Sequence, residues 1–206
     1  MTGAPVVHII DDDPAARDSL AFLMESAGLA ARVFASAEDF LACLGEIEAG
    51  CIVSDIRMPG LSGIDLIAEL RRRGHAGHAI ILITGHGDVP LAVEAMKRGA
   101  ADFFEKPYDD GKLIAAVRAA LDAGSARHAA DEEREAILRR YASLSGRERD
   151  VLRGLVSGAA NKVIANDLGI SPRTVEIYRA NVMAKMEADS LSSLVRMAIS
   201  HGLERQ

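Results

Sequence analysis

The sequence predicts a doubly wound α/β domain on a five-stranded parallel sheet, followed by an all-α domain of four helices. Three observations carry that reading. Five short apolar runs rich in Val, Ile and Phe alternate with five helical patterns across residues 1–122, the pattern of buried parallel strands. From residue 141 onward no strand pattern recurs, and cap and stop residues divide residues 141–206 into helices. Between the two, residues 123–140 are charged and poor in large apolar side chains, a linker with some helical character. A length of 206 residues suits two domains, since domains commonly hold about 100–150.

Taken in order, Val6-Val7-His8-Ile9-Ile10 is the first strand, and Pro14 to Ala27 the helix after it, with proline in its first turn. Ala31-Arg32-Val33-Phe34 is the second strand and Ala37 to Leu44 its helix. Cys51-Ile52-Val53-Ser54 leads to a helix over Ile64 to Arg73, and Ile80-Ile81-Leu82-Ile83 to one over Pro90 to Arg98. Phe103-Phe104 marks the fifth strand, followed by a helix from Asp110 to Ala123. Right-handed crossovers then put helices on both faces of the sheet. In the second domain, Ser145 and Glu148 have capping-box spacing, Val151, Leu152, Leu155 and Val156 form one apolar face, and Gly158 ends the helix. Asn161 is expected to cap a short helix that buries Ile164, Ala165 and Leu168 and stops at Gly169. Ser171 caps a third helix with Pro172 at its first position, and Ser190 starts a last one through Leu191, Leu194, Val195, Ala198 and Ile199. A short helix, a three-residue turn containing glycine and a second helix is helix-turn-helix spacing.

Composition excludes several classes. Hydrophobic residues at 49% and charged residues at 26% are ordinary for a packed globular protein. No apolar run approaches the roughly 20 residues that span a bilayer. Met1 to Pro5 has neither the basic nor the apolar character of a secretory leader, so a cytoplasmic location and no membrane partner are expected. Cys43 and Cys51 read as buried thiols, not a disulfide or metal site. The net charge of −6 is unevenly spread: residues 1–122 hold 11 basic against 19 acidic residues, a net −8, and the remainder is +2. An acidic half joined to a mildly basic one suits a regulatory module on a nucleic-acid binder.

The chemistry lies at the strand ends. Asp11 and Asp12 follow the first run, Asp55 the third, Thr84 the fourth and Lys106 the fifth. In an open parallel sheet the ligand site lies beyond the carboxyl ends of the strands, so these residues converge. Singly, each has a plain reading: Asp11-Asp12-Asp13-Pro14 is also a good helix start, where carboxylates suit the dipole. Their joint occurrence argues for a site. Crowded carboxylates repel by about 4 kcal/mol per pair at 4 Å and an effective dielectric of about 20, and a hard divalent cation relieves this. Oxygen donors that leave room for water suit Mg²⁺. Asp12 and Asp55 are the expected direct ligands, Asp11 acts through water, and the Arg57 carbonyl completes the set. Asp55 is then the nucleophile toward a phosphoryl group, Lys106 supplies positive charge to its oxygens, and Thr84 a hydroxyl.

With these residues in hand, residues 1–122 resemble the receiver domains of two-component response regulators, which have a flavodoxin-like fold. The resemblance rests on Asp11-Asp12, Asp55-Ile-Arg-Met-Pro59-Gly60, Thr84-Gly85, and Phe103 three residues before Lys106-Pro107. It implies that Asp55 becomes a 4-aspartylphosphate on reaction with a sensor histidine kinase. It also implies that Thr84 turns toward the phosphoryl group and Phe103 swings inward as a switch pair. Phe104 offers a competing ring, which leaves plain core as the other reading of Phe103. The second domain resembles the LuxR-type helix-turn-helix through Leu144-Ser-Gly-Arg-Glu148-Arg-Asp-Val-Leu152, Asn161-Lys162 and Ile170-Ser-Pro-Arg-Thr174-Val-Glu176. Tyr178 departs from that pattern, where many such helices carry His, and this puts one contact in doubt.

Periodicity places Val175, Tyr178, Val182 and Met186 of the third helix inward and Arg173, Glu176, Ile177 and Ala180 outward, toward a DNA major groove. Arg173 suits a guanine edge and Glu176 cytosine N4. Asn161, Lys162, Arg179 and Lys185 are expected to contact phosphates, and Thr174 belongs to the same DNA-binding set. The chain is similar throughout to response regulators of nitrogen fixation. Ile83-Thr-Gly-His-Gly-Asp-Val-Pro90, Ala92-Val-Glu-Ala-Met-Lys97 and Arg179-Ala-Asn-Val-Met-Ala-Lys185 carry that likeness. It implies a phosphorylation-dependent activator that dimerises through a face containing Val93 and Lys97, binds promoter DNA and engages RNA polymerase. The implied kinase is an oxygen-sensing haem histidine kinase, and the targets are nitrogen-fixation or microaerobic genes. Two rivals stand beside it. An aspartyl-phosphate phosphatase would want a second carboxylate where Arg57 stands, so an enzyme is not expected. A regulator that binds DNA without phosphorylation would not need the acidic set.

Overall fold

The computed structural model describes residues 6–47, 50–75, 77–85 and 89–203. The leader expectation at residues 1–5 and the His86-Gly87-Asp88 part of one motif lie outside the described residues. The chain divides into two compact units, Met1–His128 and Ala129–Gln206.

The first unit holds five parallel strands: β1 (Val6–Ile10), β2 (Ala30–Phe34), β3 (Cys51–Asp55), β4 (Ala79–Thr84) and β5 (Asp102–Glu105). Their order is β2-β1-β3-β4-β5. The chain winds outward from β1 in both directions, so a switch point falls between β1 and β3, where such sheets hold their ligands. The helices are α1 (Pro14–Ser26), α2 (Ala37–Ala42), α3 (Gly63–Arg72), α4 (Val89–Arg98) and α5 (Asp110–Ala142), and a 3-10 turn over Leu44–Glu46 ends the stretch expected to be one helix with α2. Alternation along the strands builds a core on each face. Ile10, Ile52, Leu66, Ile80 and Leu82 pack with α2, α3 and α4 on one side. Val7, Ile9, Met24, Val53, Ile81, Ile83, Leu113 and Val117 pack with α1 and α5 on the other. β3 is buried along its whole length, and each such apolar side chain contributes roughly 1.5–3 kcal/mol. Phe103 joins the first cluster and Phe104 the second, so the two rings share no face. Cys51 is buried, which pushes its thiol up to about 12, and both cysteines are free.

The second unit contains α6 (Gly146–Val156), α7 (Asn161–Leu168), α8 (Pro172–Lys185) and α9 (Leu191–Ser200). The Ser145–Glu148 capping box is formed in full, Gly169 stops α7 at φ 66°, and Ser171 with Pro172 starts α8. Val175 and Val182 of α8 and Met186 at its carboxyl cap are buried with Leu152, Ile164 and Leu194, and Tyr178 packs against them. Two expectations differ from what forms. The last helix of the first unit does not end near Ala123; α5 continues to Ala142. Ala, Arg and Glu dominate the added stretch, all strong helix formers, Glu135 and Arg139 pair at i,i+4, and Ile137 and Tyr141 enter the second core. Asn161 is not a cap. Ala160 holds that position with extended backbone, and its carbonyl accepts from Val163 and Ile164 N–H at 2.8 and 3.1 Å, so the helix closes one residue earlier.

His8, Phe34, Phe40 and His78 form an aromatic cluster, with the Phe40 ring 5.5 Å from His8 and 5.8 Å from His78. The Gly50 N–H donates to His78 Nδ1 at 3.3 Å, which requires an unprotonated nitrogen there. Burial, with His8 and His75 nearby, lowers His78 from 6.5 to about 4. Its unfolded ring binds a proton first, so stability is fully present above 6.5 and declines as pH falls toward 4. Because the ring is half-buried, we expect a loss of about 1–2 kcal/mol over that window. Chemical denaturation against pH should show the decline, and His78→Gln should flatten it. An unaltered slope in that variant would assign the decline to other groups.

Candidate phosphoryl-acceptor site and DNA-reading helix

Parallel register brings the polar strand ends together. Ile10 pairs with Ser54, Asp55 with Ile83, and Thr84 with Glu105, so Asp11, Asp55, Thr84 and Lys106 emerge at one edge. Asp11 is 2% exposed and Asp55 9%, and two carboxylates crowded at such a buried edge call for a cationic partner. Lys106 supplies it. Its Nζ donates to Asp55 Oδ1 at 2.9 Å and to Asp11 Oδ2 at 3.1 Å. Burial opposes the ammonium charge, but the bonds to Asp55 and Asp11 outweigh it and hold Lys106 above its usual range. The backbone N–H of Lys106 donates to the Thr84 carbonyl at 2.8 Å, which fixes the turn after β5 against the end of β4.

The remaining carboxylate oxygens are also held. The Arg57 N–H donates to Asp55 Oδ2 at 2.7 Å, and the Asp13 N–H to Asp11 Oδ1 at 2.9 Å. Asp13 itself caps α1 through Ala15 N–H, so the helix-start reading holds for the third aspartate and leaves Asp11 to the site. Asp12 is exposed beside them. Arg17 donates to the Asp11 carbonyl at 2.6 Å, a support that no spacing in the sequence announces. Beneath Asp55, a Cβ on Gly63 would lie 2.4 Å from the Asp55 carbonyl oxygen. Only glycine lets α3 start that close.

The donor set fits a hard divalent cation. Two carboxylates at the mouth of the sheet share one ammonium, Asp12 is exposed beside them, and oxygen is the only donor type among the three aspartates. Among the described residues no three His, Cys, Asp or Glu side chains converge on one point. A hard ion such as Mg²⁺ would find only oxygen donors here, and would complete its shell with carbonyl and water oxygens.

In the second unit, α8 turns Arg173, Glu176, Ile177 and Ala180 outward, with Ile177 56% exposed. Thr174 and Arg179 are half-buried, and the Thr174 hydroxyl shares a 2.8 Å hydrogen bond with Ser171. Lys162 is exposed and Asn161 half-buried at the start of α7. Lys185, the fourth residue expected to contact a phosphate, is exposed at the end of α8 and ion-paired. Its Nζ donates to Glu148 Oε2 at 2.7 Å, and Glu148 is 3% exposed. In the first unit Val93 and Lys97 are both exposed on α4.

Comparison with known proteins finds a separate family match in each unit. The family model of the response regulator receiver domain matches residues 7–118. That of the bacterial regulatory proteins, luxR family, matches residues 142–198. The transcriptional regulatory protein FixJ of Azorhizobium caulinodans is 59% identical over 197 residues, 96% of this chain and 93% of that protein. The structure of the response regulator StyR covers 96% of this chain and 100% of its own, with a TM-score of 0.88 at 38% identity. Full-length FixJ from B. japonicum covers 98% of this chain and 99% of its own, with a TM-score of 0.60 at 49% identity.

Because Lys106 is the shared partner of two buried carboxylates, Lys106→Met should destabilise the first unit by about 1–3 kcal/mol in chelator-treated buffer. Denaturant titration measures this, and an unchanged midpoint would mean that the carboxylates are balanced some other way.

Proposed function

The chain belongs to the response regulators that join a receiver domain to a luxR-family DNA-binding domain, and from that premise we propose that phosphorylation of Asp55 controls its binding to promoters. The observation that carries this is the Lys106 ammonium lying between Asp55 and Asp11. We assign receiver function to residues 1–122, a linker to 123–140 and DNA binding to 141–206; α5 spans the linker as continuous helix.

Asp55 attacks the phosphorus of a phosphohistidine on the partner kinase. An Oδ–P bond forms as the P–N bond breaks, and the electron pair returns to the imidazole. Before transfer, Lys106 and the Arg57 N–H hold the two oxygens of Asp55 and orient the nucleophile. After transfer, the Lys106 ammonium can turn to the phosphoryl oxygens, which carry more charge than the carboxylate they replace. A Mg²⁺ ion held by Asp11, Asp12, Asp55 and the Arg57 carbonyl would supply positive charge to the transferring group. Thr84, buried at the end of β4, donates its hydroxyl to a phosphoryl oxygen, and Phe103 follows from the α4 side of the sheet. That biases α4, and Val93 and Lys97 on it form the dimer face.

A dimer reads two half-sites, which converts modest monomer affinity into specific binding. Arg173, Thr174, Glu176, Ile177 and Ala180 meet base edges, while Asn161, Lys162 and Arg179 hold phosphates. The likeness to FixJ supports nitrogen-fixation or microaerobic promoters, a FixL-like sensor histidine kinase as phosphate source, and activation through RNA polymerase. No described helix is long and apolar enough to cross a membrane, and we place the regulator in the cytoplasm. Arg57 stands where a phosphatase of this chemistry would want a second carboxylate, which disfavours catalytic turnover.

Treating the chain with a small acyl-phosphate donor and Mg²⁺ should tighten its promoter binding at least tenfold, and Asp55→Asn should abolish the response while leaving the thermal transition intact. Equal promoter binding with and without the donor would sink the control by phosphorylation. On the output side, Glu176→Ala and Arg173→Ala should each change base preference at one position per half-site, at about 1–3 kcal/mol on the preferred site. Binding across a randomised half-site reads this directly, and a uniform loss over all sequences would remove these residues from the base-reading set.

A further inference from the structure

Lys185 and Glu187, at and just past the carboxyl end of α8, carry opposite charges two residues apart, and each meets an opposite charge, Lys185 from the first turn of α6 and Glu187 from the last turn of α5. Lys185 donates to Glu148 Oε2 at 2.7 Å and to the Ser143 carbonyl at 3.5 Å. Arg140, in the last turn of α5, pairs with Glu187. We propose that these two crossed ion pairs form a clamp that positions the DNA-reading helix, and that Lys185 is a positioning residue within it, not a phosphate contact.

Three observations support the clamp. Glu148 is 3% exposed, and the one oxygen that accepts Lys185 also accepts the Ser145 N–H at 2.7 Å. The carboxylate is therefore shared between the cap of α6 and the end of α8. The bonds from Lys185 and from Ser145 hold Glu148 below the usual carboxylate range, so its charge is retained at neutral pH. Third, Glu187 adopts φ 52°, a left-handed conformation just past a helix end where glycine is the default. A side chain there costs backbone strain that glycine avoids, and the pair with Arg140 is an interaction that glycine could not make.

The geometry has a functional consequence. Phosphates recruit free cations, whereas the Lys185 ammonium is engaged with a buried carboxylate whose charge would be left unpaired if it let go. Its effect on DNA is to fix the tilt of α8, and so the reach of Arg173 and Glu176 at the other end. This rests on the reading of α8 as the base-reading helix, and the test separates the two.

The full chain is prepared with Glu148→Gln, Lys185→Met and both changes together. Gln still accepts the Ser145 N–H, so the capping box survives while the charge is lost. Amide hydrogen exchange over residues 182–186 is measured without DNA. Binding is measured at several salt concentrations to a duplex selected by the phosphorylated wild type from a random pool, and to the unselected pool. We expect faster exchange in each single variant and little more in the double, because the two groups act as one pair. Selectivity for the chosen duplex should fall about threefold to tenfold with the salt slope unchanged. Unchanged exchange overturns the clamp. Lys185→Met that weakens both DNAs alike and lowers the log-log salt slope by about 0.9 per contact overturns the positioning role and restores the phosphate contact. Unfolding of Glu148→Gln overturns it too, by making the pair a determinant of fold. If the wild type selects no duplex, the proposed function fails and the clamp is judged on exchange alone.

Discussion

The Lys106 ammonium between Asp11 and Asp55 is the interaction on which the first unit depends. Two carboxylates buried within reach of one cation constrain everything around them. β1 and β3 must be neighbours in register so that Asp11 and Asp55 lie side by side. β5 must end level with β4 so that Lys106 reaches across, and the Lys106 N–H on the Thr84 carbonyl secures this. Gly63 must be free of a Cβ so that α3 starts directly under the Asp55 carbonyl. The apolar cores on the two faces supply most of the stability, but they tolerate small slips. The charge triad does not.

The second unit divides its labour differently. Its core consumes one side of α8 through Val175, Val182 and Met186, and what remains outward is the set of Arg173, Glu176, Ile177 and Ala180. Burial thus selects the residues available to a partner before any partner is considered. The carboxyl end of α8 is tied down by charge through Glu148 and Arg140, while its amino end is held by the Ser171 cap and Pro172. A helix fixed at both ends can present its exposed face at a constant angle, which base reading requires.

Much of this is legible in the sequence, and the reasons are physical. A strand that ends in Asp or Lys after an unbroken apolar run announces both its burial and the edge where the polar group emerges, so Asp11, Asp55, Thr84 and Lys106 are found together without coordinates. The inward and outward faces of α8 follow from a 3.6 period once Pro172 fixes its start. What escapes is whatever depends on tertiary partners. The extension of α5 to Ala142 hinges on Ile137 and Tyr141 finding the second core, because the local charge run reads equally as linker. Lys185 looks like any basic residue on a DNA-binding helix until Glu148, 37 residues earlier, is seen beside it. Arg17 supports Asp11 through a carbonyl, which leaves no trace in residue type. Phe103 and Phe104 are adjacent rings, and only the strand's alternation separates the one facing α4 from the one facing α5.

A phosphoryl group accepted by one carboxylate among those at the strand ends leaves a chemical mark that can be located. Borohydride reduces an aspartyl phosphate to homoserine and leaves free aspartate untouched, so the position is read by peptide mass spectrometry. After reaction with a small acyl-phosphate donor and Mg²⁺, we expect homoserine at position 55, with Asp11, Asp12 and Asp13 unmodified. Label distributed over the Asp11–Asp13 run, or absent from position 55 at full phosphate incorporation, would contradict it.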